Sequence, residues 1–374
     1  MKAIIYFNRP NRIRIIDLPV PKLHNPEHIL VRIFQTGICG TDRELIRQRD
    51  VLLPIHSKYI ILGHEAVGNV AKVGRSVHKL SEGDWVVPTV SRGCGRCKFC
   101  RVGYPDLCNS ANLRERGVSR INGFMAEYVV EHERNLIKIP NAIINFAVLV
   151  EPLSIALKIS NVIFAHQPGR MKPNVRSLLG LKCFVLGFGA IGALTSILFK
   201  FQEAQVTLVG RRSANSKHAN TLKQIDISYL YDRSNGGKLD SKIKDSFDVL
   251  VDTTGNLLMV KNVLSKLNTN GIIIFLGIKN SSLFRLNLKD FNELVIKKGL
   301  TLSYVHGSNM IYMMKAVNCL TEINRQHPNL FQTMIYQERN TNKFLELILN
   351  KKINTIKTVL CFNRYPSHAT PDCR

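Results

Sequence analysis

Cys183-Phe184-Val185-Leu186-Gly187-Phe188-Gly189-Ala190-Ile191-Gly192 decides how this chain folds. An apolar, strand-like run, Cys183 to Leu186, leads into G-x-G-x-x-G, and a helical run follows over Ala193 to Phe201. Glycines at that spacing allow a tight turn, close approach of backbone to a pyrophosphate, and close packing of helix on strand. The helix N-terminus then faces the anion. Spaced glycines alone also describe an ordinary strand-to-helix turn. Here a second strand, Val206 to Val209, completes the context that a dinucleotide site needs. Gly187, Gly189, Ala190, Ile191 and Gly192 are the expected contacts.

The same grammar continues outward. Phe247 to Val251, Gly271 to Leu276 and Leu300 to Val305 alternate with helical stretches, which predicts a parallel sheet covered by helices. The first 130 residues read differently. Lys2 to Phe7, His28 to Gln35, Ala66 to Val73 and Asp84 to Thr89 are short strands separated by turn residues, as in a β-barrel or sandwich. Asn161 to Gly180, with Pro168, Gly169 and Pro173 among basic residues, reads as a linking loop, and Asn363 to Arg374 as a peripheral tail. A length of 374 residues suits two domains. The apolar runs fall short of the roughly 18 residues of a membrane span, so no bilayer-crossing helix is expected. The start of the chain lacks the pattern of a secretory signal.

The end of the second strand bears on which dinucleotide binds. An acid there bonds the ribose 2′-OH of NAD. This chain reads Thr207-Leu208-Val209-Gly210-Arg211-Arg212, with no acid and two arginines. Gly210 leaves room for a 2′-phosphate that Arg211 and Arg212 can pair, which favours NADP, with NAD binding more weakly. A solvated arginine pair is the plainer alternative.

Nine cysteines are present, and Cys94, Cys97, Cys100 and Cys108 form C-x2-C-x2-C-x7-C. Four thiolates so close can enclose Zn²⁺ tetrahedrally with no open position, which is a structural site; the spacing differs from common iron–sulfur patterns. Without an export signal this points to a reducing compartment, the cytoplasm. Lys plus Arg is 52 against 27 Asp plus Glu, a net charge of +25. The basic residues are dispersed, with pairs such as Lys297-Lys298 and no long block, so a basic surface is favoured over a nucleic-acid role.

A second group is spread out: Cys39 in Gly-Ile-Cys-Gly-Thr-Asp, His64 and Glu65 in Gly-His-Glu-Ala-Val-Gly, and Glu151 before Pro152. Cysteine, histidine and carboxylate suit a catalytic zinc that keeps one position open. Taken alone, Cys39 is also an ordinary buried small residue. The apolar flanks of His64-Glu65 make a buried charged pair there costly unless it has a function.

With these motifs in this order, the chain resembles the zinc-dependent medium-chain alcohol dehydrogenases and, more narrowly, the archaeal-type glucose 1-dehydrogenases. Supporting stretches are Gly40-Thr41-Asp42-Arg43-Glu44, Gly123-Phe124-Met125-Ala126-Glu127-Tyr128 and Glu151-Pro152-Leu153-Ser154. The resemblance implies an α/β protein: a GroES-like β-barrel catalytic domain over 1–180 with a structural-zinc lobe at about 93–109, a Rossmann-type doubly wound domain over 181–301, and a return to the catalytic domain over 302–374. It implies Cys39, His64 and Glu151 as ligands of the catalytic zinc, with Glu65 behind them or entering as an alternate ligand. Thr41 would bond the reacting hydroxyl and start a proton relay. Glu115 would contact sugar hydroxyls, and Thr254 and His306 would lie at the cofactor. Val90 stands where some members carry a sugar-contacting Asn, and His306 where they often carry Asn.

The implied activity is oxidation of an aldose, D-glucose and also D-galactose, at the anomeric carbon to the lactone, with NADP and two zinc ions per chain, in a homo-oligomer (dimer or tetramer). A polyol, threonine or simple alcohol dehydrogenase is the alternative on the same scaffold. A non-catalytic, basic nucleic-acid-binding relative is the alternative from another class; the intact Cys39, His64 and Glu151 set argues against it.

Overall fold

The structure is a computed structural model and describes residues 1–8, 12–48, 51–110, 113–166, 177–234, 239–277, 287–349 and 355–363. Residue contacts divide the chain into two units, Met1–Ser154 with Gly307–Arg374, and Ile155–His306.

In the first unit the longest strand is His28–Ile38. Its alternation turns Ile29, Val31 and Ile33 into a core with Ala66, Val70, Val86, Phe124 and Val129. From Phe34 onward every residue of the strand is buried. Burial of each such apolar side chain contributes roughly 1.5–3 kcal/mol. The strand belongs to a sheet ordered Leu136–Lys138, Trp85–Pro88, Ala66–Val73, His28–Ile38, Lys357–Cys361, Ile335–Glu338, and Tyr128–His132 also pairs with it. Register shifts against Ala66–Val73, between Leu30 and Val31 and between Ile33 and Gln35, mark bulges that bend the sheet. A second, three-stranded sheet of Ile13–Asp17, Lys2–Phe7 and Tyr59–Ile61 carries its own core, with Ile4, Tyr6, Ile60, Leu62 and Met125. This is the barrel-type β unit that the short strands predict. The C-terminal strand Lys357–Cys361 was not predicted, yet it runs beside the strand that leads to Cys39, with Thr358 opposite Ile38 and Val359 opposite Gly37.

In the second unit six parallel strands lie in the order Ser228–Tyr231, Gln205–Gly210, Lys182–Leu186, Phe247–Asp252, Leu267–Phe275, Thr301–Tyr304. The near-continuous burial of Lys182–Leu186 and Phe247–Asp252 is that of strands covered on both faces. The order reverses at Lys182–Leu186, the position where doubly wound sheets bind ligands at the carboxyl ends of their strands. The fingerprint helix, Ala190–Phe201, starts there.

One expectation is corrected. The segment predicted as loop from Asn161 is helical to His166, the end of the helix Val150–His166. Its flanking Pro168, Gly169 and Pro173 lie outside the described residues, as does the tail after Asn363. The continuous helical stretch Asn141–His166 is 26 residues long and matches a membrane span by length and composition alone. Most of its apolar part, however, is buried inside the protein. Ile143, Phe146, Leu149, Leu153, Ile159 and Ile163 are all fully packed, as in a core helix.

Candidate active site and nucleotide site

Cys39 leaves the strand His28–Ile38 just before the helix Gly40–Gln48. Opposite it, Gly63 has φ +89°, a left-handed turn in which a Cβ would meet Met125 Cγ at 2.5 Å, and this turn delivers His64 and Glu65. The donor atoms of Cys39, His64 and Glu65 lie within 4.8 Å of one another, with His64 and Glu65 buried and Cys39 half-buried. Thr41 is exposed on the first turn of the helix, its Oγ1 3.8 Å from Cys39 Sγ. Glu151 is buried but is not part of this tight donor group. Its pKa is pushed up to about 7, first by burial; Glu65 and Glu115 push the same way and His64 and Lys357 oppose.

Two residues of this cluster escaped the sequence reading. Asp42 is fully buried; its Oδ2 accepts the Cys39 N–H at 2.7 Å and its Oδ1 lies 3.6 Å from His64 Nδ1. A carboxylate facing Nδ1 leaves Nε2 for a metal. Lys357, buried on the C-terminal strand, donates from Nζ to Glu65. Gly37 is what makes room for this pair, because a Cβ there would meet Glu65 Oε2 at 2.0 Å. Burial works to lower the pKa of both His64 and Lys357. The charges of Asp42 and Cys39 around His64, and of Glu65 and Cys39 around Lys357, outweigh burial and raise both. The pocket therefore attracts positive charge strongly enough to overcome desolvation. Cysteine, histidine and carboxylate donors in such a field, gathered within 4.8 Å of one another, fit a zinc ion with an open position.

The Sγ atoms of Cys94, Cys97, Cys100 and Cys108 also lie within 4.8 Å of one another and form no disulfide. Cys94 and Cys100 are 4.0 Å apart and Cys97 and Cys108 3.9 Å. The thiol of Cys94 is lowered to about 6, chiefly by backbone N–H groups of Arg96 and Cys97. Cys97 is lowered by the N–H of Cys100, and burial pushes Cys100 up to about 12. Backbone donors aimed at sulfur favour the thiolates a closed tetrahedral zinc site requires.

In the second unit Gly187 has φ +110° and Gly192 presses on it, since a Cβ on Gly192 would meet Gly187 O at 1.8 Å. Gly189 is the N-cap of Ala190–Phe201 and caps with no side chain, so the first-turn N–H groups stay available to an anion. Gly210 is also held to glycine by its neighbours. The space beside it is filled: a Cβ would meet Phe188 Cβ at 2.5 Å and Tyr229 OH at 2.9 Å. The two arginines are also unequal. Arg212 lies over the Phe188 ring, 5.5 Å from its centroid, and Tyr229 OH donates to its carbonyl at 2.8 Å. Arg211 is exposed and has no partner among the described residues. Thr254 Oγ1 donates to buried Asp252 at 2.6 Å. His306 is exposed, and its carbonyl accepts from Lys158 Nζ at 2.7 Å.

Glu115 is half-buried on the short strand Arg114–Arg116, in register with Ser91. Beside it, Glu131 is clamped by Arg92 at 2.5 Å and Arg116 at 2.8 Å. Burial would raise the Glu131 carboxyl, but these guanidinium groups hold it at about 2. Val90 is buried, and its carbonyl accepts the Arg116 N–H at 3.1 Å.

Residues 25–141 match the alcohol dehydrogenase GroES-like domain, and residues 144–362 match the glucose dehydrogenase C-terminus. A glucose 1-dehydrogenase of Methanocella arvoryzae is 31% identical over 334 residues, 89% of this chain and 91% of that protein. Glucose 1-dehydrogenase 2 of Saccharolobus solfataricus is 32% identical over 317 residues, 82% and 84% of the two chains. Among solved structures, Haloferax mediterranei glucose dehydrogenase in complex with NADP, Zn and gluconolactone superposes with a TM-score of 0.83 at 25% identity, covering 98% of this chain and 100% of that one. The chain belongs to the zinc-dependent medium-chain alcohol dehydrogenases, in their glucose dehydrogenase branch.

Proposed function

We propose that this protein oxidises D-glucose, and D-galactose with it, at the anomeric carbon to the lactone, with NADP as hydride acceptor. The observation that carries the reading is the donor group of half-buried Cys39 with buried His64 and Glu65, in a field that draws positive charge, beside exposed Thr41. Cys39, His64 and Glu151 would hold the catalytic zinc, with Glu65 as an alternate ligand, and the four-cysteine lobe a structural one. Bound zinc lowers the pKa of the substrate hydroxyl, and bound NADP takes up the hydride. Asp42 orients His64 through Nδ1. Thr41 accepts the proton of the anomeric hydroxyl and, being exposed, passes it to solvent. Glu115 accepts hydrogen bonds from hydroxyls away from the reacting carbon. Val90 offers them no polar contact, which relaxes discrimination between the C4 epimers. The turn Gly187–Gly192 and the helix behind it hold the pyrophosphate. Arg211 and Arg212 reach the 2′-phosphate, and Thr254 and His306 line the cofactor.

The test is the efficiency of glucose, galactose, xylose, threonine and a simple alcohol with NADP, in wild type and Glu115→Ala. Removing the Glu115 carboxylate leaves a sugar hydroxyl without its acceptor, so Glu115→Ala should lower efficiency with the hexoses about 10²-fold, roughly 2.7 kcal/mol. Inert aldoses beside rapid turnover of threonine or a simple alcohol would overturn the reading.

A further inference from the structure

A chain of buried hydrogen bonds runs from the four-cysteine lobe to Glu151. Asp106 lies in the turn Pro105–Leu107, just before Cys108, and is 3% exposed. It accepts a hydrogen bond from Asn309 Nδ2 at 2.8 Å. Asn309, 1% exposed, caps the helix Met310–Gln326 by accepting the Tyr312 N–H at 3.1 Å. Its neighbour Ser308, also 1% exposed, has its Oγ 2.6 Å from Ser154 Oγ. Ser154 Oγ donates in turn to the Glu151 carbonyl at 2.6 Å. A hydroxyl has one proton, and Ser154 uses its own on Glu151, so Ser308 is the donor to Ser154. From the other side, Ser91 Oγ donates to the Ser308 carbonyl at 3.2 Å, and Ser91 is in register with Glu115.

Capping one helix requires Asn309 alone. It does not require a buried carboxylate behind the cap or two buried hydroxyls in front of it, and each such group costs free energy to desolvate unless its bonds are made. We propose that Asp106, Asn309 and Ser308 are positioning residues. They fasten the turn before Met310–Gln326 to the four-cysteine lobe on one side and to the first turn of the Glu151 helix on the other, and so set where the Glu151 carboxylate stands. The inference rests on reading Glu151 as a ligand of the catalytic zinc.

Zinc-loaded enzyme tests it through two kinds of variant. Asn309→Asp keeps a residue that caps as well but sets a carboxylate against Asp106, and the double variant Asn309→Asp with Asp106→Asn restores a donor and acceptor with the roles exchanged. Ser308→Ala removes the donor to Ser154, and Ser308→Thr keeps it. Release of the labile zinc to a colorimetric chelator should accelerate about tenfold in Asn309→Asp and Ser308→Ala. Glucose turnover should fall by a similar factor in kcat, with KM for NADP unchanged. The double variant and Ser308→Thr should behave as wild type. A double variant as impaired as Asn309→Asp, or Ser308→Ala releasing zinc at the wild-type rate, would overturn the proposal. If wild type leaves glucose unoxidised, the functional reading fails by itself, and the zinc-release comparison of Ser308→Ala with Ser308→Thr still decides the positioning role.

Discussion

Replacing Lys357 by Met keeps the side-chain stem and deletes a charge that no water reaches. Lys357 is 3% exposed and its partner Glu65 1%, so solvent screens neither. Without the ammonium group, Glu65 becomes an uncompensated buried carboxylate, a change that costs about 3–5 kcal/mol. For a chain of 374 residues this corresponds to a fall in melting temperature of roughly 4–6 °C. Thermal unfolding of metal-free protein at neutral pH reads it directly. Lys357→Met combined with Glu65→Gln should recover most of the loss, because no charge is then left unpaired. The pH dependence has a definite sign. Burial opposes the charged form, but Glu65, Cys39 and Glu151 raise the folded pKa of Lys357 above its ordinary value. The stabilisation is therefore fully present below about pH 10.4 and disappears as pH rises through the folded value. The gap between wild type and variant should be flat across neutral pH and close only in strong alkali. A Lys357→Met protein melting within about 1 °C of wild type, or no recovery in the double variant, would refute the ion-pair argument.

Arg211→Ala should raise KM for NADP about tenfold or more and leave that for NAD unchanged, since a charge-assisted bond to phosphate contributes roughly 1.5–3 kcal/mol. Arg212→Ala also removes the cover of Phe188 in the fingerprint turn, so it should weaken both cofactors; equal effects of the two substitutions would contradict this division. The Glu131 carboxyl, held at about 2 in the folded protein, stabilises it by about 3 kcal/mol above its unfolded pKa and loses that as pH falls toward 2. Acid unfolding of Glu131→Gln should therefore start from a lower stability at neutral pH and converge on wild type near pH 2. Freshly purified enzyme should hold two zinc ions per chain. A chelator should take one quickly, Cys39→Ser should abolish turnover in a folded protein, and Cys97→Ser should destabilise the lobe; one zinc in fully active enzyme would contradict the assignment.

Features set by short-range spacing were legible in the sequence. The turn at Gly187 to Gly192 and the four-cysteine lobe are constrained within a few residues, and both assemble as their spacing implied. Strands such as Lys2–Phe7 and Ala66–Val73 were legible for the same reason. Lys357 was not, because its meaning lies in Glu65, 292 residues away. The only local signal was a lysine opening the apolar run Lys-Thr-Val-Leu-Cys. Asp42 was hidden differently, since an acid in a first helical turn is ordinary there. The crowding at Gly210 was not legible because its partner, Tyr229, comes from the neighbouring strand. Helix Val150–His166 runs past the predicted boundary at Asn161, with Ile163 still packed in the core.

The position of the Lys357 strand within the chain also sets an order of assembly. A ribosome extending at about 5–20 residues per second delivers Cys39, His64 and Glu65 well before Lys357, with a wait of roughly 15–60 s. During that interval Glu65 has no lysine to accompany it into the interior, and the edge of His28–Ile38 that Lys357–Cys361 will cover stands open. The pocket can close in its final form only after synthesis has passed the last strand. Nascent chains arrested before residue 357 should therefore leave the Glu65 region susceptible to protease, and chains released after it should not.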